Sequence, residues 1–290
     1  MLLYALIFLW DVVTKYISII MDFIYQSNYF MALVSCIMAI VFMAHVKSAS
    51  IILTDLCSPK NQRSVLDRQP SPINIVRGRV YKLEHLDTLR WFCYNELPPA
   101  VLLENNGSTV IMRISCSPEC TPFLAGGNLP ANYYFVEASF KWGSSEHSID
   151  SRSYAMEMQV LHATNIANAS YEYLTVSYMF DLAHQKNYHL DQIIDNLGSI
   201  RTAGSVIELP PFNLASLMWC FGNDYFSYRG TYANGTALLP SQWAICPRIF
   251  YISPDQLARF RDLYDMNGRR IQSNSRQKQP LGDRCVALHC

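Results

Sequence analysis

The sequence lacks an excess of either charge: 23 basic residues face 23 acidic ones in a chain of 290. That balance argues against an extended nucleic-acid surface and against a strongly acidic substrate. There is no glycine-rich phosphate loop, which removes the usual cradle for a nucleotide. There is no internal repeat, and no linker divides residues 51–290. No Ser-His-Asp or Cys-His arrangement is legible, so nothing announces nucleophilic catalysis. What is plentiful is apolar: half of the residues are hydrophobic and 13% are aromatic, enough for one large core.

The first 50 residues differ from the rest and are read apart from the domain at 51–290. Leu2 to Tyr25 is apolar but broken by Asp11, Lys15 and Asp22. Tyr29 to Ala44 is cleaner, though slightly short of the roughly 17–25 residues that span a bilayer. Met31 to Ser50, "MALVSCIMAIVFMAHVKSAS", has an apolar core and a small-residue end that suit a signal peptide. It lacks the positively charged start. A cleaved signal or a signal-anchor would make the protein secreted or membrane-anchored, with the domain extracellular or lumenal and membrane contact through residues 1–45. Two uncleaved membrane helices, or a natural start at Met31, are the other readings.

Nine cysteines fit an oxidising compartment. Cys36 lies in the apolar run and is expected unpaired. Cys116 and Cys120 in "CSPEC" are close enough for a small-loop disulfide. Cys57, Cys93, Cys220, Cys246, Cys285 and Cys290 remain, and six cysteines allow 15 pairings among which the sequence does not choose. Asn106, Asn168 and Asn234 head glycosylation sequons.

Beyond Ser50 the pattern is mostly β. "STVIMRI", "YYFVEASFKW", "AMEMQVLHA", "YLTVSYMFDLA" and "QWAICPRIFYI" are rich in β-branched and aromatic residues, between Gly, Pro, Asn and Ser clusters. Two helices are predicted. In "HLDQIIDNLGSIRTAG", Leu190, Ile193, Ile194, Leu197 and Ile200 share a face and Gly204 closes it. In "SPDQLARFRDLYD", Ser253 caps, Pro254 opens and Gln256 completes a capping box, with Leu257, Phe260, Leu263 and Tyr264 apolar.

The ordered motifs resemble the α-class carbonic anhydrases. "RQPSPINI" is similar to their Q-S-P-I-N-I motif with one residue inserted, and "LENNGSTVIMRI" to L-x-N-N-G-H and the strand after it. "SFKWGSSEHSID" resembles H-F-H-W-G followed by S-E-H-T-V-D, and "YAMEMQVLH" resembles Y-x-x-E-L-H-L-V-H. "YFSYRGTYANGTALLPSQW" resembles Y-x-x-Y-x-G-S-L-T-T-P-P and its tryptophan strand, with Gly230 to Trp243 ungapped. "NSRQKQPLGDR" resembles the closing N-x-R-x-x-Q-P-L-x-x-R. The resemblance runs from Arg68 to Arg284. It implies a mainly β, single-domain fold with a large twisted, mostly antiparallel sheet of about ten strands and peripheral helices.

The family's chemistry does not follow the motifs. The family holds zinc with three neutral histidines and leaves a fourth position to water, whose pKa falls to about 7. By the resemblance those three positions are Ser139, Lys141 and Gln159 here. Serine and glutamine are poor zinc ligands, and a lysine ammonium ~4 Å from a divalent ion is repelled by roughly 8 kcal/mol at an effective dielectric of ~20. No metal and no cofactor are expected. Ala233 stands for the threonine that orients the hydroxide, Tyr232 for the pocket leucine, and Ser108 for the proton-shuttle histidine. Tyr232 is expected to narrow the pocket. The W-x-Y-x-x-x-x-G-P-x-x-W opening is not recognisable before Arg68.

Glu146 and Glu157 match the family's carboxylates around the ligands. Buried carboxylates need partners, and Lys141 is expected to fill the zinc volume and pair with one of them. His147 is expected to bond Glu157 or Tyr228, and Gln159 to bridge by its amide. His184, His189 and His289 are read as non-ligands, and Arg269, Arg270, Arg276 and Lys278 as a solvated stretch.

The expected function is therefore an acatalytic carbonic anhydrase-related module that binds an unknown protein or small ligand, with no nucleic-acid partner. A zinc lyase of residual or altered activity is the alternative, and a redundant copy that does little is a third. Glycans on Asn106 and Asn234 would block the former cavity.

Overall fold

The structure is a computed structural model that describes Lys15 and residues 70–290, except 85–86, 167–170 and 236. Contacts divide the chain into Met1–Pro59 and Lys60–Cys290, and all described residues but Lys15 lie in the second unit. The expectations for residues 1–50, Cys36, Cys57 and Asn168 fall outside the described residues. Among the described residues no helix is long and apolar enough to cross a membrane.

The strands are β1 (Asn74–Ile75), β2 (Tyr81–Leu83), β3 (Leu89–Phe92), β4 (Ala100–Asn105), β5 (Val110–Ser115), β6 (Phe123–Gly126) and β7 (Tyr133–Trp142). They continue as β8 (Ser148–Ile149), β9 (Met156–Ala163), β10 (Tyr173–Leu182), β11 (Val206–Leu209), β12 (Tyr225–Asn234), β13 (Ala237–Ile252) and β14 (Ala287–His289). Twelve of them form one mixed sheet, in the order β11-β4-β5-β7-β9-β10-β13-β12-β14-β2, with β6 joining β3 to β7 at the side. The β10–β13 and β14–β2 pairs are parallel; the other pairs in this sheet are antiparallel. The "SPINI" motif makes β1, which pairs with β8 in a separate two-stranded ribbon. A mainly β single domain with few helices is what the sequence pattern implies, and the sheet has twelve strands rather than about ten.

Period-two alternation sorts the central strands into an apolar and a polar face. Phe140 and Trp142 of β7, with Met156, Met158 and Val160 of β9, enter the larger hydrophobic cluster. There Phe140 and Trp142 each lie 5.5 Å from the Phe260 ring of α2 (Pro254–Arg261). Each such fully buried side chain is worth roughly 1.5–3 kcal/mol. The residues between them, Ser139 and Lys141 on β7 and Glu157 and Gln159 on β9, point to the opposite face. That face also carries a smaller cluster including Ile73, Ile75, Tyr228, Tyr232 and Trp243.

α2 begins as predicted: Ser253 Oγ accepts from Gln256 N at 3.2 Å, and the reciprocal bond completes the capping box. The other predicted helix is broken. Its five apolar residues are all buried, but they sit on a 3-10 turn at Tyr188–Leu190, the single helical turn α1 (Asp191–Ile194), and a 3-10 turn at Leu197–Ile200. Asn196 and Gly198 lie at the interruption, and both weaken a helix interior. After Trp142 the chain turns at Gly143 with φ 85°, where a Cβ would meet Ser273 Cβ at 2.5 Å.

Candidate functional site

Antiparallel pairing of β7 and β9 sets Ser139 opposite Gln159 and Lys141 opposite Glu157, while β10 brings Ser177 opposite Gln159. The three positions singled out for a metal therefore share one face. Ser139 is 1%, Lys141 9% and Gln159 0% exposed.

Glu157 is fully buried and accepts four hydrogen bonds. His147 N reaches Oε2 at 2.8 Å; His147 Nδ1 at 2.8 Å, Gln159 Nε2 at 2.9 Å and Ser177 Oγ at 2.8 Å reach Oε1. An ionised carboxylate only accepts, so Nδ1 carries a proton. Burial alone would raise the Glu157 pKa, but His147 and the convergent donors hold it down at about 2. His147 Nε2 lies 2.6 Å from Tyr228 OH, which lies 2.7 Å from Ser71 Oγ. His147 thus meets both partners expected of it.

Glu146, also fully buried, is held by Arg276: Nε to Oε1 at 2.9 Å, Nη2 to Oε2 at 2.7 Å, and the backbone N to Oε1 at 3.2 Å. Gln159 Nε2 donates to Glu146 Oε2 at 2.9 Å as well as to Glu157, so its amide bridges the two carboxylates. Its Oε1 is buried with no partner among the described residues.

The expected direct pair between Lys141 and a carboxylate is not formed. Among the described residues Lys141 Nζ makes no hydrogen bond or ion pair; Glu146, Glu157 and Glu137 act on it only through space. The guanidinium has a better geometry for Glu146, because a planar fork takes both oxygens where an ammonium takes one. Burial lowers the Lys141 pKa, Glu146 opposes that, and Arg276 adds to it. Arg276 therefore leaves the solvated stretch: its side chain is 27% exposed, whereas Arg269, Arg270 and Lys278 stay exposed.

Tyr232, 2% exposed, closes the other side. Its hydroxyl lies 3.1 Å from both Glu137 Oε1 and Ser139 Oγ. Glu137 is buried and Arg113 Nη2 contacts its Oε2 at 2.9 Å. The sequence pattern does not single out Glu137, and it places Arg276 in a solvated stretch rather than at this site. Glu137 precedes Ser139 by two on β7, so alternation already placed it on this face. Ala233 is half-buried opposite Leu238. Ser108 is exposed, and its carbonyl accepts from Asn274 Nδ2 at 3.1 Å.

The remaining candidates lie elsewhere. His184 and His189 are exposed, and His184 helps line a surface hollow of about 560 Å³ with Lys186, Asp195, Asp255 and Arg259. His289 is buried, 2.6 Å from Ser227 Oγ and stacked on Tyr225. Among the described residues no three His, Cys, Asp or Glu side chains are grouped to hold a metal. The Cys116–Cys120 disulfide is not formed: Cys116 Sγ donates to Thr121 Oγ1 at 3.5 Å instead, and all seven described cysteines are free. Asn106 is half-buried, its Oδ1 accepting from Ser108 N and Thr109 N, while Asn234 is exposed.

Known proteins match the same span. The family model described as eukaryotic-type carbonic anhydrase matches residues 58–290. Carbonic anhydrase 1 of Oryctolagus cuniculus is 30% identical over 233 residues, covering 74% of this chain and 97% of the rabbit protein. With the mixed twelve-stranded sheet and its central β7–β9 pair, these matches establish that the chain belongs to the eukaryotic-type carbonic anhydrase family.

Proposed function

We propose that this carbonic anhydrase-family domain, residues 51–290, neither holds zinc nor hydrates carbon dioxide, and acts as a binding module for a protein or small ligand. The observation that carries this reading is the chemistry at the three ligand positions. Ser139 Oγ is engaged by Tyr232, Gln159 turns its Nε2 toward two carboxylates, and Lys141 brings an ammonium. That donor set does not fit a zinc ion, which takes neutral imidazole, thiolate or carboxylate. Arg276 further occupies Glu146 with a second cation. Two apolar side chains beside the site support a binding role. Leu238, 53% exposed, lies opposite Ala233, and Met266, 76% exposed, packs against Gly107. The apolar run at Met31–Ser50 supports a secreted or membrane-tethered location, in which the exposed Asn234 would be open to glycosylation.

The test is elemental analysis of the purified full chain after dialysis against zinc at neutral pH, with a carbon dioxide hydration assay on the same sample. Substoichiometric zinc and hydration at the uncatalysed rate are expected. One zinc per chain with hydration would overturn the reading and return the protein to the zinc lyases.

A further inference from the structure

Three cysteines stand at strand ends: Cys93 follows β3, Cys116 follows β5, and Cys120 lies three residues before β6. β3 ends at Phe92, which pairs with Phe123 of β6 and stacks on its ring at 4.6 Å. Cys93 is the next residue and has a φ of 61°. That conformation is uncommon without glycine, and it turns the chain out of the ladder. β5 ends at Ser115, so Cys116 also begins a turn. The 3-10 turn Pro118–Cys120 then leads back to β6. Burial raises the Cys93 thiol pKa, Glu96 raises it further, and Cys120 and then Cys116 add smaller effects, so both thiols lie within electrostatic reach.

The two candidates for pairing with Cys93 differ. Cys116 Sγ is turned to Thr121 Oγ1. Cys120 is exposed, and its turn is held by Cys120 N and Thr121 Oγ1, each donating to Ser117 O at 3.0 Å. We propose that Cys93 and Cys120 form a disulfide that staples the end of β3 to the turn entering β6, leaving Cys116 as a thiol. β3 and β6 are a side branch, and β6 joins β7 through only the pairs Phe123–Tyr134 and Leu124–Tyr133. A cross-link there restrains a part of the sheet that is joined to the rest by a short ladder.

The oxidant is a donor disulfide such as glutathione disulfide. The Cys120 thiolate attacks one donor sulfur, forming a mixed disulfide and releasing one glutathione thiolate. The Cys93 thiolate then attacks the Cys120 sulfur and releases the second. Two protein thiols lose two protons and two electrons, and the donor becomes two thiols. The raised Cys93 pKa makes the second step faster as pH rises.

The experiment uses the reduced full chain incubated with mixed reduced and oxidised glutathione, quenched by alkylation and digested without reductant. Trypsin places Cys93 in 91–113 and the other two cysteines in 114–141; cleavage after Glu119 then separates Cys116 from Cys120. The expected product links the Cys93 and Cys120 peptides, with Cys116 alkylated. Three alkylated cysteines, a Cys116–Cys120 loop or a Cys93–Cys116 link would each overturn the proposal. Cys116→Ser should keep the link and Cys93→Ser should abolish it; loss in Cys116→Ser also overturns it. Because the oxidant is supplied, the outcome does not depend on where the protein resides.

Discussion

Arg276 grips Glu146 through both carboxylate oxygens, Nε to Oε1 at 2.9 Å and Nη2 to Oε2 at 2.7 Å, across 130 residues of sequence. The pair makes the polar face a closed network: Arg276 to Glu146, Glu146 to Gln159, Gln159 to Glu157, Glu157 to His147. Every carboxylate in it is buried, so each link matters chiefly through the cost of its loss.

Arg276→Met should therefore be among the costly substitutions. It leaves Glu146 buried without its cation, held by Gln159 Nε2 and the backbone N of residue 276. A loss of about 3–5 kcal/mol is expected for breaking a buried pair from one side. Adding Glu146→Gln to Arg276→Met should recover part of it, because the stranded charge is gone. Urea unfolding of the two variants and the wild type checks both statements. A single variant within about 0.5 kcal/mol of wild type, the usual surface range, would show that the pair is not structural.

Acid should unfold the domain through the same carboxylates. For Glu157 burial favours the neutral form, but His147 and the hydrogen bonds win and hold the folded pKa at about 2; Glu146 is also lowered, its burial outweighed by Arg276 and Lys141. A depressed carboxylate pKa contributes stability that is complete above the unfolded value and lost as pH falls through the folded one. Stability should decline from about pH 5 toward pH 2, each group adding up to about 1.4 kcal/mol per pH unit. Glu157→Gln should flatten that slope while lowering stability at pH 7, as seen in urea midpoints across the range. An unchanged slope would mean that Glu157 does not drive the transition.

Lys141→Met should move stability the other way. The lysine is buried, its pKa is lowered, and no described group bonds its Nζ. An apolar side chain of similar length removes the desolvation cost, and replacements of buried charge by such residues gain about 1–4 kcal/mol. The lower end is expected because Lys141 also supports Glu146 through space. A depressed lysine pKa penalises folding below the folded value, and that penalty fades as pH rises toward the unfolded one. The gain of the variant over wild type should therefore shrink at alkaline pH in paired denaturation curves. A Lys141→Met variant less stable than wild type at pH 7 would show that the ammonium is satisfied.

Local patterns revealed more of the fold than of the site. Alternation in "YYFVEASFKW" and "AMEMQVLHA" located β7 and β9, and the Ser253–Gln256 box located α2, because those signals are written within a few neighbouring residues. The Leu190–Ile200 segment showed its buried face correctly but not its breaks, since one apolar stripe suits short 3-10 and α turns as well as one helix. The pairing of Lys141 could not be read locally. It depended on Arg276 arriving from the closing segment and taking Glu146 first. Glu137 was readable by its spacing from Ser139, whereas its partner Arg113 comes from β5, two strand ends away in sequence.

Gly230 links the family motif to this network, and its replacement should be felt at Glu157. A Cβ at Gly230 would lie 2.1 Å from Ser71 Oγ and 2.9 Å from the Tyr228 ring, so Ser71 must move. Ser71 Oγ accepts from Thr231 N at 3.1 Å and meets Tyr228 OH at 2.7 Å, while Ser71 N donates to Thr231 Oγ1 at 3.2 Å. Displacing it frees Tyr228, whose hydroxyl holds His147 Nε2. Gly230→Ala should cost about 2–4 kcal/mol, combining overpacking with buried groups left unpaired. Ser71→Gly alone should cost less, since it removes the hydroxyl without the clash. The double variant should be more stable than the sum of the two losses predicts, because the clash needs both side chains. Additive losses in the urea cycle would mean that the glycine is required by the β12 backbone rather than by its contact with Ser71.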